Sequence, residues 1–375
     1  MDFNLTEERQ MLQDTLRRYL SDRYTTSARN AILDSETGMS PEIWGELAGL
    51  GVIGALFSEE DGGFGGAGFD ISTVFEELGR AGVVEPFLDT AILGGGMIAA
   101  VGNAEQKQLL EQVIAGQLHL ALAHGEPASR YDLSRVETTA RADGEEIVLN
   151  GRKAVVVNGE AAGFLIVSAR EHGGFFDLDG SSLFVVPADV PGLTMRGYPM
   201  LAGARAAEVS LDDVRVPQTA RLGAEGAGFG PLMDVVAAAN VALVAETLGA
   251  METAVELTRQ YLLTRHQFGR PIGSFQALQH RFADMLIELE QARSAVINAA
   301  GHLDSQDRDR QIAAARNLVS RVGRLVAEES IQMHGGIAMT QEYELAHIAK
   351  RIVMADHRFG DADYHLERFI ALSAA

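Results

Sequence analysis

Apolar residues recur with helical spacing at the start of the chain and again from about residue 231 to its end. Near the start, Leu12, Leu16 and Leu20 share one face of a segment that Thr6 can cap, because its side-chain oxygen accepts a backbone N–H of the first turn. Toward the end, four long Ala- and Leu-rich segments lie near residues 231–262, 274–304, 308–334 and 341–356. This pattern predicts a helical N-terminal region and a C-terminal four-helix bundle.

Between residues 118 and 225 the apolar spacing changes to the alternation that is typical of strands. The β-rich runs are 136–142, 147–149, 154–157, 164–168, 183–186 and 207–211. Turn pairs such as Asn150-Gly151 and Pro191-Gly192 separate them. We therefore predict an α+β fold with a helical N-terminal domain (1–117), an antiparallel β-barrel or β-sandwich (118–225) and a helical bundle (226–375).

Charge and cysteine content narrow the range of functions. The 375 residues include 52 acidic and 31 basic side chains, and a net charge of −21 disfavours nucleic acid or anionic lipid as main partners. The absence of cysteine excludes disulfides, iron–sulfur clusters and thiolate zinc sites. Without an export signal at Met1-Asp2-Phe3-Asn4 or a run of about 18 uninterrupted apolar residues, we expect a cytoplasmic protein with no metal site and no membrane span.

A glycine-rich run matches a dinucleotide-binding fingerprint by its letters. Gly63-Phe64-Gly65-Gly66-Ala67-Gly68 fits G-x-G-x-x-G, and residues 52–57 before it have the composition of a strand. The flanking segments have helical patterns and no βαβ series follows, so the structural context that the fingerprint requires is missing. We expect a mobile glycine loop.

A second run carries more chemistry. Arg265-His266-Gln267-Phe268-Gly269-Arg270-Pro271-Ile272 separates two of the long helical segments. A tight turn there would expose an arginine, an amide and an aromatic ring, which together suit a pyrophosphate and a stacked planar ring. An ordinary inter-helix turn with a solvated arginine accounts for the same residues, so both interpretations stay open on this run alone.

Longer motifs resemble those of the acyl-CoA dehydrogenase family, in order along the whole chain. They are Tyr261-x-x-x-Arg265-x-Gln267-Phe268-Gly269-x-Pro271-Ile272-x-x-Phe275-Gln276, Gln332-Met333-His334-Gly335-Gly336, Glu126-Pro127 with Asp132, Asn150-Gly151-x-Lys153 and Asn158-Gly159. The resemblance implies an FAD-dependent enzyme that dehydrogenates the α,β bond of an acyl-CoA thioester. A carboxylate would take the α-proton, and a hydride would pass to the flavin.

The resemblance also implies a division of labour between subunits. In the family, a neighbouring subunit clasps part of each FAD. The residues that match this clasp are Arg265, Gln267, Phe268, Gln276, Gln332, Gly335 and Gly336. Electrons would leave to an electron-transfer flavoprotein or a similar acceptor, since the chain has no cysteine for an iron–sulfur relay.

The middle of the chain departs from the family pattern where a subunit would serve its own flavin. Gly125 stands where the family has Thr before Glu-Pro, and Arg130-Tyr131 stands where it has Gly-Ser. Val155-Val156-Val157 replaces Trp-x-Thr, whose Thr donates a hydrogen bond near flavin N5. Asn240 replaces an arginine that contacts the CoA adenosine.

The catalytic base is also in question. An ungapped count places Phe359 at the position of the family's catalytic Glu, whereas a two-residue insertion places Asp361 there, and the alternative base position falls on Ala239. Asp361 is one carbon–carbon bond shorter than Glu, and it can equally cap the last helix. Glu246 is a further carboxylate in an apolar helical stretch, either with a raised pKa or in a structural hydrogen bond.

These losses share a pattern, because the residues for the chain's own flavin and thioester are mostly replaced while the clasp is intact. The pattern predicts the small subunit of a two-plus-two hetero-tetramer that completes a partner's FAD site. A homotetramer with a reshaped pocket and Asp361 as base is the alternative. Other functions on the same fold are a flavin monooxygenase, a nitroalkane-type oxidase or a non-catalytic assembly subunit.

Overall fold

Helices occupy both ends of the chain and strands its middle in the computed structural model, which describes residues 5–374. The helices, α1 to α11, are Glu7–Arg23, Thr26–Leu33, Pro41–Gly49, Gly68–Ala81, Gly96–Val101, Ala104–Ile114, Phe229–Thr264, Gln276–Gly301, Arg308–His334, Glu344–Ala355 and Ala362–Ala374. The strands, β1 to β10, are Leu120–Ala123, Thr139–Asp143, Glu146–Val157, Phe164–Arg170, Ser181–Pro187, Leu193–Pro199, Arg205–Pro217, Arg221–Leu222, His266–Gln267 and Arg270–Pro271. This order confirms the predicted α+β class, and the expectation about residues 1–4 lies outside the described residues.

Helix starts follow the local chemistry of the sequence. The side chain of Thr6 accepts the backbone N–H of Arg9 at the start of α1. Ser40 likewise caps α3, whose first residue is Pro41. Asn103 and Gln106 form a reciprocal capping box at the start of α6. Each cap satisfies backbone donors that the first helical turn leaves without a partner.

The glycine-rich run is folded against the segment before it. Residues 54–56 form a 3₁₀ helix, so the strand considered for 52–57 is absent. The backbone N–H of Phe64 donates to Gly54 O, and that of Gly65 donates to Phe57 O. A Cβ at Gly63 would lie 2.3 Å from the backbone oxygen of Phe57, so glycine is required by close packing.

The chain packs as two compact units. One contains residues up to 31, residues 67–83 and the chain from 240 onward; the other contains residues 32–66 and 84–239. The domain boundaries proposed at 117 and 225 stay a prediction.

The first unit is helical and centres on α9. This helix packs against α8, α10 and α11, while α4 packs against α1 and α8. Ile312, Val319, Val322 and Val326 of α9 are buried at helical spacing, which places one apolar stripe of α9 in the core.

Helices α4 and α7 approach each other closely through two glycines. A Cβ at Gly79 of α4 would lie 1.9 Å from the backbone oxygen of Glu246 in α7. Reciprocally, a Cβ at Gly249 of α7 would lie 1.9 Å from the backbone oxygen of Glu76. No real Cβ tolerates such a distance, so the crossing exists only with glycine at both positions.

A charged cluster borders this crossing. Arg80 of α4 forms ion pairs with Glu76 (3.0 Å), Glu77 (3.3 Å) and Glu252 of α7. Arg293 of α8 also pairs with Glu252. Burial raises the pKa of Glu76 to about 7, and the charge of Glu252 acts in the same direction.

The second unit is built on an eight-stranded sheet with the order β6-β7-β3-β2-β4-β5-β8 and β1 beside β4. Most neighbouring strands are antiparallel, but β1 and β4 run parallel, so the sheet is mixed. One face buries the core residues Leu149, Val167, Phe184 and Val209. This sheet is the predicted β-domain.

Individual strand predictions need several corrections, including the short strand β8, for which no run was predicted. The runs 147–149 and 154–157 belong to one strand, β3, which continues through Asn150-Gly151 because it pairs with β7 on both sides. Strand β6 was not predicted, since its residues are only partly buried and carry a weak alternation. Val136 lies before β2, and its backbone N–H donates to Phe175 O.

One helix within the described residues, α7, is long and apolar enough to cross a membrane by length and composition. In its most apolar window of 18 residues, 83% is buried inside the protein, a property shared by core helices of proteins outside membranes. The sequence expectation of no membrane span rested on uninterrupted apolar runs, a stricter criterion that α7 does not meet.

The glycine crossing can be tested with Gly79→Ala. The new methyl group would clash with a helix backbone that cannot move aside, so we expect a loss of at least about 1–3 kcal/mol of unfolding free energy. Gly230→Ala in α7 is the matched control, because a Cβ there meets nothing within 4 Å. Thermal unfolding that is alike in the two variants would contradict the close approach.

The charged cluster predicts a pH dependence. The folded pKa of Glu76 (about 7) exceeds its usual value of 4.5, so the unfolded chain loses this proton first. Stability should therefore fall as pH rises from about 4.5 to about 7, by roughly 1–3 kcal/mol from this group. In Glu76→Gln the side chain stays neutral, and this part of the pH slope should vanish in melts at pH 5 and pH 8. The exposed Glu328→Gln serves as control and should keep the wild-type slope.

Candidate functional site

The run between α7 and α8 forms a small hairpin. Strand β9 pairs with β10 in antiparallel register, Gln267 opposite Arg270. The two tip residues, Phe268 (φ 53°) and Gly269 (φ 78°), both have positive φ, as a two-residue type I′ turn requires. Phe268 is 91% exposed. A phenylalanine in this conformation is strained, and such strain commonly marks a functional position.

Aromatic and cationic contacts hold the hairpin in shape. The guanidinium carbon of Arg270 lies 4.1 Å from the centre of the Phe275 ring. Phe268 meets the same ring edge-on, with 6.1 Å between ring centres. The backbone N–H of Ile272 donates to Arg265 O (2.8 Å), which closes the hairpin base. Within residues 5–374, the exposed side chains of Arg265 and Gln267 have no hydrogen bond or ion pair, so both are available to a ligand.

The second motif lies at the end of α9. Gly335 ends this helix with φ 70° and ψ −150°, a conformation that disfavours other residues. A Cβ at Gly335 or Gly336 would meet nothing within 4 Å, so the backbone here is open. Gln332, one turn earlier, is exposed, as is Gln276 at the start of α8.

A stack of three rings joins the two motifs. Tyr261 of α7 stacks on His334 of α9, with ring centres 4.5 Å apart and planes 26° apart. Tyr343, before α10, lies 5.4 Å from His334 on a tilted plane. The Nδ1 atom of His334 lies 2.8 Å from Ser330 O, and burial lowers the pKa of this histidine. The stack brings together the hairpin group (Arg265, Gln267, Phe268) and the α9 group (Gln332, Gly335, Gly336).

His334 was not among the predicted site residues. The sequence contains it within a motif, but its stacking partner Tyr261 is 73 residues away along the chain. Its position after Met333 at the very end of a helix, directly before two glycines, is the signal that could have pointed to it.

Asp361 caps a helix. Its Oδ1 accepts the backbone N–H of Tyr364 at 2.9 Å, at the start of α11. The structure thus places this carboxylate in the capping role that the sequence offered as an alternative to catalysis. Asp361 does not join the hairpin and α9 groups.

The segment before Asp361 is held by a buried arginine. Arg316 of α9, 2% exposed, donates to Arg358 O (2.6 Å) and Gly360 O (2.7 Å). Its Nε lies 3.3 Å from His365 Nε2, and burial lowers the pKa of His365 to about 3, so this ring is neutral. Phe359, at the ungapped position of the base, has φ 55°.

The other base candidates are structural or apolar. Glu246 forms an ion pair with Arg351 of α10, with 2.7 Å between Oε1 and Nε. This contact matches the structural interpretation of Glu246. Ala239 and Asn240, at the alternative base and CoA-contact positions, are buried.

A buried ion pair organises the middle-domain motifs. Lys153 of β3 is fully buried, and its Nζ lies 2.7 Å from Glu126 Oε1. Burial lowers the pKa of Lys153 to about 8, although Glu126 opposes this shift. Glu126 also accepts the backbone N–H groups of Glu137 (2.7 Å) and Thr138 (2.9 Å). Despite its burial, these partners hold the pKa of Glu126 below its usual value.

The same lysine completes a small polar network. Its Nζ donates to Ser168 Oγ (3.1 Å) and His124 O (3.3 Å), and His124 Nδ1 lies 2.9 Å from Ser168 Oγ. Burial, with the charge of Lys153, lowers the pKa of His124 to about 3. The network therefore contains one cation, one anion and a neutral imidazole, so the buried ammonium has an opposite charge and two further acceptors.

The position of the family's tryptophan lies on a β-bulge. Lys153 pairs with Val209 and Val156 with Ala207, so two residues of β3 face one residue of β7. Val155, in the bulge, has φ 53° and is 56% exposed. A β-branched residue rarely adopts this conformation, so valine is a poor fit to the backbone of the bulge.

A cavity of about 270 Å³ opens beside this strand. Its lining includes Val157, Asn158, Val84 and Pro86. Val157 is the residue that replaces the family's hydrogen-bonding threonine, so this wall of the cavity is apolar where the family offers a donor. No predicted site residue lines the cavity.

Family models match the chain in three consecutive parts. They describe the acyl-CoA dehydrogenase N-terminal domain (residues 6–117), middle domain (121–214) and C-terminal domain (226–371). Together they cover nearly the whole chain in the order that the sequence motifs predicted.

Individual relatives agree with these models. The acyl-CoA dehydrogenase FadE12 of Mycobacterium tuberculosis (strain H37Rv) is 31% identical over 318 residues, 81% of this chain and 80% of the relative. Among solved structures, a variant of the Tcur3481-Tcur3483 steroid ACAD is 32% identical over 98% of both chains, with a TM-score of 0.88. The FAD complex of PigA is 27% identical over 100% of this chain and 99% of that chain, with a TM-score of 0.92. The chain therefore belongs to the acyl-CoA dehydrogenase family of FAD-dependent oxidoreductases.

Proposed function

We propose that this chain serves α,β-dehydrogenation of an acyl-CoA as the subunit that completes a partner's FAD site and supplies no catalytic base. The observation that carries the proposal is the use of Asp361 as a helix cap. Phe359 and Ala239 occupy the remaining base positions, and neither can accept a proton.

The clasp residues fit the adenosine diphosphate end of FAD. Arg265 would form a charge-assisted hydrogen bond to the pyrophosphate, and Gln267 would add an amide. The exposed ring of Phe268 offers a stacking face for adenine. Gln276 and Gln332 would add further amide contacts, and the open backbone at Gly335 and Gly336 lets a ligand approach closely. When bound, FAD supplies the hydride acceptor of the reaction.

The part of a flavin site that this chain would form for its own FAD lacks hydrogen-bond donors that the family has. Gly125 has no side chain to donate a hydrogen bond, and Val157 presents only methyl groups where the family has a threonine. In the family a threonine donates a hydrogen bond near flavin N5, and Val157 cannot supply that donor. The contrast with the intact clasp supports a division of labour over a homotetramer in which every subunit is active.

The partner would be a larger family member that keeps the catalytic Glu and the Thr before Glu-Pro. A two-plus-two tetramer would then hold half the FAD per chain of a homotetramer. The similarity to the steroid ACAD supports a bulky acyl group as the first substrate class to test. An electron-transfer flavoprotein is the proposed acceptor, and the cytoplasm is the proposed compartment.

Arg265→Ala tests the clasp. Loss of a charge-assisted bond should weaken FAD retention by the assembled complex by about 10–100-fold, in line with about 1.5–3 kcal/mol. FAD per complex is measured after gel filtration. Arg215→Ala is the control, because this exposed arginine lies in the β-domain and pairs with Asp143 and Glu146. Equal FAD retention in the two variants would remove Arg265 from the site.

Asp361→Asn separates the cap from the base. Asparagine caps a helix about as well as aspartate, so the fold should keep its stability within about 0.5 kcal/mol. The amide cannot accept an α-proton, yet turnover by the complex should stay unchanged because the partner supplies the base. Loss of flavin reduction in stopped-flow with a folded variant would make Asp361 catalytic and refute the proposal.

Assembly gives the most direct test. The chain alone should show little acyl-CoA dehydrogenase activity, and activity should appear on co-expression with the partner described above. Native mass spectrometry should report two copies of each chain. A homotetramer of this chain with four FAD and brisk turnover would instead establish the alternative.

A further inference from the structure

Arg130 and Tyr131 form one bulky unit on the loop between β1 and β2. Arg130 has φ 47°, in the left-handed region that favours glycine, and its side chain is exposed. The guanidinium carbon lies 5.2 Å from the centre of the Tyr131 ring, within the range of a cation–π contact. The backbone thus has a conformation that favours glycine while carrying a large cationic side chain.

The loop is fixed at both ends and cannot easily swing aside. Glu126, where it begins, accepts the backbone N–H of Glu137 and of Thr138, where it ends. The Oγ of Ser129 bonds to both the N–H and the carbonyl of Glu126 (2.9 Å each). Because Lys153 neutralises Glu126 inside the core, these anchors are buried and rigid.

A third anchor acts from the outer side of the loop. Arg170, 5% exposed, donates to Ser134 O (3.1 Å), Asp177 O (2.9 Å) and Asp179 O (2.7 Å). This guanidinium ties the second half of the loop to the β4–β5 connection. The backbone that carries Arg130 and Tyr131 is therefore held on a preorganised support.

We propose that Arg130 and Tyr131 occlude this chain's own flavin site. FAD is then bound only in the partner's site, to which this chain contributes the clasp residues. The inference rests on the proposed function and deepens it. The Gly-Ser pair that the resemblance places here in the family has only a hydrogen atom and a hydroxymethyl group as side chains, so it takes up little space. Arginine and tyrosine fill the same place with two stacked side chains. Because of this loop, the tetramer would hold half the FAD per chain of a homotetramer.

The test is the double variant Arg130→Gly/Tyr131→Ser of the full chain, which keeps its own clasp for neighbouring copies. FAD binding is followed by quenching of flavin fluorescence and by FAD per chain after gel filtration. We expect an affinity gain on the order of tenfold or more. Arg130→Gly should also raise the unfolding midpoint by about 1–3 °C, because glycine relieves the left-handed strain.

Ala204→Gly is the matched control. Ala204 has φ 61° in the same sheet domain, so glycine relieves strain there without changing the loop. It should raise the unfolding midpoint and leave FAD binding as in the wild type. If the double variant fails to fold, the single variants Arg130→Gly and Tyr131→Ser are titrated in its place.

Each outcome decides the inference. Unchanged FAD affinity in the folded variants overturns occlusion. Weaker FAD binding in the variants also contradicts occlusion, because Arg130 and Tyr131 would then contribute to binding the cofactor. The proposed function fails separately, if the wild-type chain alone retains one FAD per chain and turns over acyl-CoA. In a further outcome, the lone chain is inactive and gains activity with its partner, while the variant's FAD affinity is unchanged. That combination contradicts only the occlusion and leaves the proposed function standing.

Discussion

The contact between Lys153 and Glu126 is the constraint on which the middle of the molecule depends. A fully buried ammonium is tolerated only because a carboxylate, a hydroxyl and a carbonyl surround it. The same carboxylate closes the loop that begins at Pro127 and ends before Thr138. Removing either partner would leave a buried charge unpaired, at a cost of about 3–5 kcal/mol. The buried ion pair and the conformation of this loop therefore depend on each other.

Strained backbone positions recur in the segments that carry the family's motifs or stand in their place. Four of the non-glycine residues with positive φ are Phe268 at the hairpin tip, Phe359 beside the base position, Val155 in the bulge and Arg130 on the anchored loop. Phe268 belongs to a motif that matches the family, whereas the other three stand where the family's residues are replaced. Non-glycine residues with positive φ are strained, so the surrounding contacts must hold these segments in place.

Local chemistry predicted much of the fold from sequence, and the misses have physical reasons. Caps such as Thr6 and Asn103 act within one turn, so sequence alone identifies them. Strand β6 was missed because only tertiary pairing with β7 defines it. The clasp residues were found through contiguous motifs, whereas His334 and Arg316 act through contacts between distant helices. The helix cap at Asp361 depends on the position of the Tyr364 N–H, which only the folded chain defines.

The ring stack of Tyr261, His334 and Tyr343 has a consequence for how kinetics of an assembled enzyme should be interpreted. Burial disfavours the imidazolium form of His334, so the ring carries no charge across the neutral pH range. The stack that joins the hairpin group and the α9 group therefore keeps a neutral imidazole at neutral pH. An acid limb near the usual histidine pKa of 6.5 in a pH–rate profile would report groups other than His334. The contact between the two halves of the clasp thus adds no proton-linked step of its own to turnover at neutral pH.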